Sequence, residues 1–277
     1  MTLLDGKQIA AQIRAELKDK VASMAQKPAL AVVLVGQDPA SEIYVRGKVK
    51  GCEEVGIVSH TYRLSEHATQ QEVEELVTSL AQRREISGIL VQLPLPKGLN
   101  SEKILALIPP EKDVDGFSAV NVGHLALGEQ SIAACTPQGI MELLSRYHIQ
   151  TAGKRAVVVG RSKIVGRPIA MLLLNADATV TICHSKTENL KEECRRADIL
   201  IAAIGRARFI TADMVKEGAV VVDVGINRGQ DGKLCGDIDF ENVSRHAACI
   251  TPVPGGVGPM TIAMLLKNTV EAAEKHQ

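Results

Sequence analysis

Eight short runs rich in β-branched and other apolar residues recur along the chain: ALAVVLVG (29–36), VSHTYRL (58–64), GILVQL (88–93), RAVVVG (155–160), ATVTIC (178–183), DILIAAIG (198–205), GAVVVDVG (218–225) and ACIT (248–251). Between most of them apolar residues return at three- and four-residue spacing, as from Gln70 to Arg84 and from Pro137 to His148. Strands buried on both faces of a parallel sheet read as near-continuous apolar runs, and crossover helices supply the 3.6-residue period between them. The pattern predicts an α/β fold. At the start, Ile9, Ile13 and Leu17 behind Asp5 predict an amphipathic helix capped by that aspartate.

The rhythm breaks between Leu93 and Thr136, where PLPKGLN, IPPEKDVDGF and a glycine-dotted stretch to Gly128 follow one another. The break predicts two α/β domains flanking a cleft, one over residues 1–118 and a second, Rossmann-like one over 135–258. The closing helix, from Pro259 onward, follows the last strand of the second domain and is expected to complete the first as residues 259–277.

Composition narrows the function classes. Thirty-two Lys+Arg balance 32 Asp+Glu and aromatics make up 2% of the 277 residues. That argues against a nucleic-acid or anionic-membrane partner, which would need a basic face or stacking platforms. The six cysteines form no C-x-x-C pair and no His-x-x-x-His accompanies them, so reduced buried thiols are expected and no metal site. No apolar run reaches membrane-spanning length and the first helix reads as part of the fold, so a cytoplasmic protein is expected.

Three stretches carry candidate chemistry. In VVVGRSKIVGRPIAMLLL (157–174) a buried strand ends at Gly160, a short loop follows and Gly166 opens a helix. This is the first turn of a dinucleotide-binding unit, although its spacing is neither G-x-G-x-x-G nor a Walker loop, and an ordinary βα turn is the plain alternative. The tip of the next strand reads CHSKT and lacks the carboxylate that would hold a ribose 2′-hydroxyl. Arg161, Ser162, Ser185 and Lys186 are available for a 2′-phosphate instead, which predicts NADP over NAD. His184 fits a loop role as well as a cofactor contact. VDVGIN ends a further strand at Ile226, where a nicotinamide could lie.

In ASEIYVRGKVKGCEEVGI (40–57) a helix is predicted with Ser41 as cap and Glu42 in its first turn. Tyr44 and Lys48 then share a face. A surface lysine beside a half-buried tyrosine is the plain reading of that stretch alone. Gln92 ends its strand before Pro94 and Pro96, placing an uncharged amide at the carboxyl edge where α/β sheets bind ligands. Asp115, taken alone, is a turn aspartate. The third stretch, TPVPGGVGPMTIAMLL (251–266), is a glycine-rich entry to a helix, the pattern of a phosphate cradle, but it holds no lysine or arginine.

Together YVRGK, VQLPLP, KDVDGF, GRSKIVGRP, CGDIDF and TPVPGGVGPMT, in that order from Tyr44 to Thr261, resemble the bifunctional methylenetetrahydrofolate dehydrogenase/methenyltetrahydrofolate cyclohydrolase family. The resemblance implies two α/β domains, NADP as cofactor, and oxidation of 5,10-methylenetetrahydrofolate followed by hydrolysis to 10-formyltetrahydrofolate. It makes Lys48 the catalytic lysine, Gln92 its partner and Asp115 the residue holding the pterin. Tyr44, the backbone around Val91 and Leu93, and the loop Pro254, Gly255, Gly256, Val257, Gly258 become folate contacts. Gly160, Arg161, Ser162, Ser185 and Ile226 become cofactor contacts. A homodimer acting on tetrahydrofolate one-carbon derivatives is implied as well. Gly47, Ala134 and Ser118 depart from the family pattern at positions with no assigned role. A shikimate-type NADP enzyme, or a dinucleotide-binding regulator without catalysis, remain as rivals; neither explains Tyr44, Lys48, Gln92 and Asp115 together with the glycine-rich loop.

Overall fold

The computed structural model describes residues 1–229 and 232–275. Its elements run β1 (Thr2–Leu3), α1 (Gly6–Ser23), β2 (Ala29–Val35), α2 (Pro39–Val55), β3 (Val58–Leu64), α3 (Gln70–Gln82), β4 (Gly88–Val91), α4 (Ser101–Leu105), α5 (Ala119–Ala126) and α6 (Cys135–Arg146). They continue with β5 (Arg155–Val159), α7 (Gly166–Asn175), β6 (Thr179–Cys183), α8 (Leu190–Arg195), β7 (Ile199–Ala202), β8 (Val220–Asp223), β9 (Asn227–Arg228), β10 (Leu234–Cys235), α9 (Phe240–Val243), β11 (Cys249–Ile250) and α10 (Val257–Lys275). The chain forms two compact units: Ala11–Cys135 with the residues from Ile262 onward, and Met1–Ala10 with Thr136–Thr261. Both are α/β units built on parallel sheets.

The first unit holds a three-stranded parallel sheet in the order β3-β2-β4. Its central strand β2 is buried at every position, as its unbroken apolar run requires. Helix α3 covers the sheet with Val73, Val77 and Leu80, spaced to share one face, and Thr69 and Glu72 close a reciprocal capping box at its start. Asp113 pairs with Ile89 in a parallel bridge, so the KDVDGF loop runs along the open edge of β4.

Two expectations need correction in this unit. The cap of α2 is Asp38, whose carboxylate accepts from the Ser41 amide at 2.8 Å, while Ser41 sits three positions into the helix and is buried. Aspartate is as good a cap as serine, and Pro39 at the first helical position favours the earlier start. The break between Leu93 and Thr136 also contains helices α4 and α5, too short to give a periodic signal. The last helix packs its Ile262 against α2 at Gly47: a Cβ there would stand 3.3 Å from Ile262 Cδ1. The departure at Gly47 therefore lets two helices close on each other.

The second unit holds a six-stranded parallel sheet in the order β1-β11-β8-β7-β5-β6. Val157, Val159, Leu200, Ala202, Val221 and Ile250 of its strands lie in one buried cluster. Strand β1 precedes the predicted first helix and pairs Thr2 with Cys249 and Leu3 with Ile250, so the first residues fold with this sheet. A two-residue strand leaves no periodicity to read. The Asp5 cap is present, its carboxylate accepting from the Gln8 amide at 2.9 Å. The β9–β10 antiparallel pair is likewise too short to announce itself. Helix α10 starts at Val257, so Pro259 stands third in it; its missing N–H costs nothing there, because first-turn amides have no intrahelical acceptor.

Among the described residues no helix is long and apolar enough to cross a membrane. All six cysteines are free thiols. Leu80 is fully buried in the cluster under α3. Leu80→Ala is expected to cost about 3 kcal/mol from the cavity it leaves, and Thr69→Ala about 1 kcal/mol from the lost cap, both read from urea unfolding midpoints.

Candidate active site

In the three-stranded unit, residues remote in sequence converge at the carboxyl edge of the sheet. Helix α2 leaves the end of β2 and brings Lys48 in with its side chain buried, 8% exposed. The Lys48 ammonium donates to the Gln92 side-chain oxygen at 3.0 Å. Gln92 follows β4; its backbone amide continues the ladder to the Val33 carbonyl at 2.9 Å and its side-chain amide donates to the Leu93 carbonyl at 2.7 Å. That second bond fixes which end of the amide faces the lysine. The Leu93–Pro94 peptide is cis. Val91 is buried in the strand, and Tyr44, one turn before Lys48 on α2, stays 45% exposed as an aromatic face beside the lysine.

Asp115 is half-buried at the same edge. Burial pushes its carboxyl up, the Lys48 charge pulls it down, and the neighbouring Asp113 pushes it up again. The two aspartates of KDVDGF divide the work. Asp113 is buried and shapes the loop, accepting from the Ser118 amide at 2.7 Å, the Asn121 side chain at 3.0 Å and the Phe117 amide at 3.2 Å. The turn role read for an isolated aspartate thus belongs to Asp113, which leaves the Asp115 carboxyl for other partners. Cys135 and Asn268 back the loop: the thiol donates to the Val114 carbonyl at 3.2 Å and the Asn268 amide reaches the same carbonyl at 2.9 Å. Burial and the Asp115 charge push the Cys135 thiol well above its usual range, so it stays a neutral donor. Sequence reading missed Asp113, Cys135 and Asn268. Of these only the paired aspartates of KDVDGF left a visible signal.

The six-stranded unit carries a second candidate site of its own. Its strand order reverses between β5 and β7, and such a switch point opens a crevice at the carboxyl ends of the strands. Gly160 ends β5 with φ +128°, and a Cβ there would lie 2.1 Å from the Ala203 carbonyl after β7. Only glycine fits, and the backbone of the loop is left bare at the head of α7. The Ser162 hydroxyl accepts from the Val165 and Gly166 amides, both at 3.2 Å, holding the loop to the helix start. The β6 tip stands alongside, since Val159 pairs with Cys183 and Gly160 donates to the Cys183 carbonyl at 2.9 Å. Arg161, Ser185 and Lys186 are exposed there. The His184 ring Nδ1 accepts from the Lys186 amide at 3.2 Å within that turn.

Ile226 is half exposed after β8 and lines a cavity of about 150 Å³ with Pro254, Gly255, Gly256, Val257 and Gly258. The loop expected to contact folate thus shares one cavity with an expected cofactor contact. No group of three or more His, Cys, Asp or Glu able to hold a metal occurs among the described residues.

A lysine tied to a neutral amide at one sheet edge, and a glycine-opened crevice at the switch point of another, define a dinucleotide-dependent α/β enzyme. The family model for the tetrahydrofolate dehydrogenase/cyclohydrolase catalytic domain matches residues 4–115, and that for its NAD(P)-binding domain matches residues 134–277. The chain belongs to the tetrahydrofolate dehydrogenase/cyclohydrolase family. It is 58% identical to the bifunctional protein FolD of Desulfovibrio desulfuricans over 98% of each chain. The crystal structure of the FolD methylenetetrahydrofolate dehydrogenase/cyclohydrolase from Campylobacter jejuni is 53% identical, with TM-score 0.98 over 100% of both chains. The Trypanosoma brucei enzyme, solved with NADP cofactor and inhibitor, is 38% identical with TM-score 0.94, over 99% of this chain and 98% of its own.

Near Ile226, burial pushes the Asp223 carboxyl up from 3.8 to about 7, although the Asp237 and Ile238 amides pull it down. A carboxyl raised on folding binds its proton more tightly in the folded state. Its contribution is therefore fully present below 3.8 and lost as pH rises through about 7. Asp115 acts in the same direction. The melting temperature is expected to fall by about 5 °C between pH 5 and 8, and by clearly less in Asp223→Asn, as followed by circular dichroism.

Proposed function

We propose that the Lys48–Gln92 pair carries the hydrolytic half of a bifunctional enzyme and the switch-point crevice the oxidative half. The chain oxidises 5,10-methylenetetrahydrofolate with NADP and hydrolyses the resulting 5,10-methenyl compound to 10-formyltetrahydrofolate. The observation that supports the residue roles most directly is the buried lysine bound to an uncharged partner at the sheet edge.

NADP, when bound, supplies the acceptor for the hydride that leaves the methylene carbon. The crevice suits it: Gly160 leaves the backbone bare beside the head of α7, Arg161 follows it in the loop, and the tip at Ser185 and Lys186 presents serine and lysine rather than a carboxylate. Loss of hydride leaves a cation shared between two nitrogens, so the protein's task in that step is positioning rather than strong base catalysis. In the second step water adds to the cationic carbon and loses a proton, and the ring C–N bond then breaks as its nitrogen gains one. Lys48 is the group that moves these protons, and Gln92 holds its nitrogen in place without adding a negative charge. Asp115 is the acceptor for the pterin edge, and Tyr44 with the Val91–Leu93 backbone lies along the aminobenzoyl part. Pro254 to Gly258 form a wall where bare backbone approaches a flat ring. In this reading residues 1–118 with the closing helix form the folate-binding domain and 135–258 the NADP-binding domain. The enzyme acts as a cytoplasmic homodimer, which light scattering on the purified protein tests.

Lys48→Met is expected to reduce methenyltetrahydrofolate hydrolysis to the spontaneous background while leaving NADP affinity within about twofold, because in this reading the lysine belongs to the folate-binding domain and the cofactor contacts to the other. Hydrolysis by the variant at the wild-type rate contradicts the assignment. The acid-free strand tip predicts kcat/KM for NADP at least about tenfold above that for NAD, and equal values contradict it.

A further inference from the structure

The motif CGDIDF takes no part in the scheme above, yet its Asp237 is wholly buried, with 0% exposure. Its carboxylate accepts four hydrogen bonds: from the Ile204 amide at 2.6 Å, the Gly205 amide at 2.9 Å, the Arg206 amide at 2.8 Å and the Asn227 side chain at 2.8 Å. Three of these are successive amides of the loop leaving β7, the loop whose first residue, Ala203, meets Gly160 at the switch point. The fourth comes from the residue after Ile226. Asp223 at the end of β8 completes the arrangement by accepting from the Asp237 amide at 2.8 Å and the Ile238 amide at 3.0 Å.

The two segments interlock through their glycines. A Cβ on Gly225 would lie 2.2 Å from Asp237 Oδ1, and one on Gly236 would lie 1.8 Å from Asp223 Oδ2. Each carboxylate occupies the space that the other segment's glycine leaves free. This gives one physical reason for the spacing of both VDVGIN and CGDIDF.

We propose that Asp237 is the positioning residue of the cofactor crevice, fixing the Ile204–Arg206 loop and Asn227 in one geometry. It touches no reactant and acts through the backbone it holds. The inference rests on reading this unit as the NADP-binding one. An asparagine at 237 offers one acceptor and one donor in place of two acceptor oxygens, so whichever way it faces, two buried donors lose their partner.

The test uses the full chain as wild type, Asp237→Asn and Asn227→Ala. NADP binding is measured by calorimetry, methenyltetrahydrofolate hydrolysis is measured without NADP, and thermal unfolding is followed alongside. Asp237→Asn is expected to weaken NADP binding about tenfold or more, with hydrolysis within about twofold of wild type; Asn227→Ala is expected to weaken it about threefold. A folded Asp237→Asn protein with wild-type NADP affinity overturns the proposal, as does a parallel loss of binding and hydrolysis. If Asp237→Asn does not fold, unchanged affinity in Asn227→Ala overturns it. NADP binding by a wild type that oxidises no methylenetetrahydrofolate refutes the functional reading and still leaves this inference tested by the affinities.

Discussion

The ammonium of Lys48 meets the side-chain oxygen of Gln92 at 3.0 Å, and the carboxyl edge of the three-stranded sheet is organised around that bond. A buried charge requires a partner. An amide oxygen satisfies the ammonium's hydrogen bond without placing a second carboxylate beside Asp115. Everything nearby serves the amide. Its strand ends where Pro94 forbids the ladder to continue, and the Leu93 carbonyl accepts from its nitrogen. The Asp113 carboxylate folds the adjacent loop so that Asp115 stands at the same edge.

The six-stranded unit solves the complementary problem. There the backbone has to be held bare and still, and buried carboxylates do it by gathering amides. Asp237 collects three consecutive amides after β7, and Asp223 collects those of Gly225, Asp237 and Ile238. Glycines occupy the points of closest approach because nothing larger fits. One sheet edge thus positions a charge with a neutral side chain, and the other positions neutral backbone with buried acidic side chains.

Much of this was legible in the chain. Each apolar run became a strand, because burial on both faces of a parallel sheet leaves a local signature. Gln92 stood out from its strand end and the prolines after it, and helical spacing put Tyr44 and Lys48 on one face, whereas Lys48 read alone as a surface lysine and Asp115 as a turn aspartate until the family resemblance gave them roles. What escaped reading depends on partners far away in sequence. Nothing around Cys135 or Asn268 announces that both hold the Val114 carbonyl. The two residues of β1 become a strand only because Cys249 and Ile250 lie beside them. The choice of Asp38 over Ser41 as cap turned on one position in a stretch where both residues qualify. The glycine-rich loop before α10 has the pattern of a phosphate cradle but no basic residue, and nothing local to it announces that its cavity is shared with Ile226.

The central claim is that one chain couples hydride removal to hydrolysis of the product. Simultaneous absorbance of NADPH and of the methenyl compound, after purified protein is mixed with NADP and methylenetetrahydrofolate, tests it most directly. The account predicts NADPH formed one for one with substrate oxidised, and a methenyl signal that rises and then decays faster than its spontaneous hydrolysis. NADPH formation with a methenyl product that decays only at the spontaneous rate, or no NADPH at all, would contradict it.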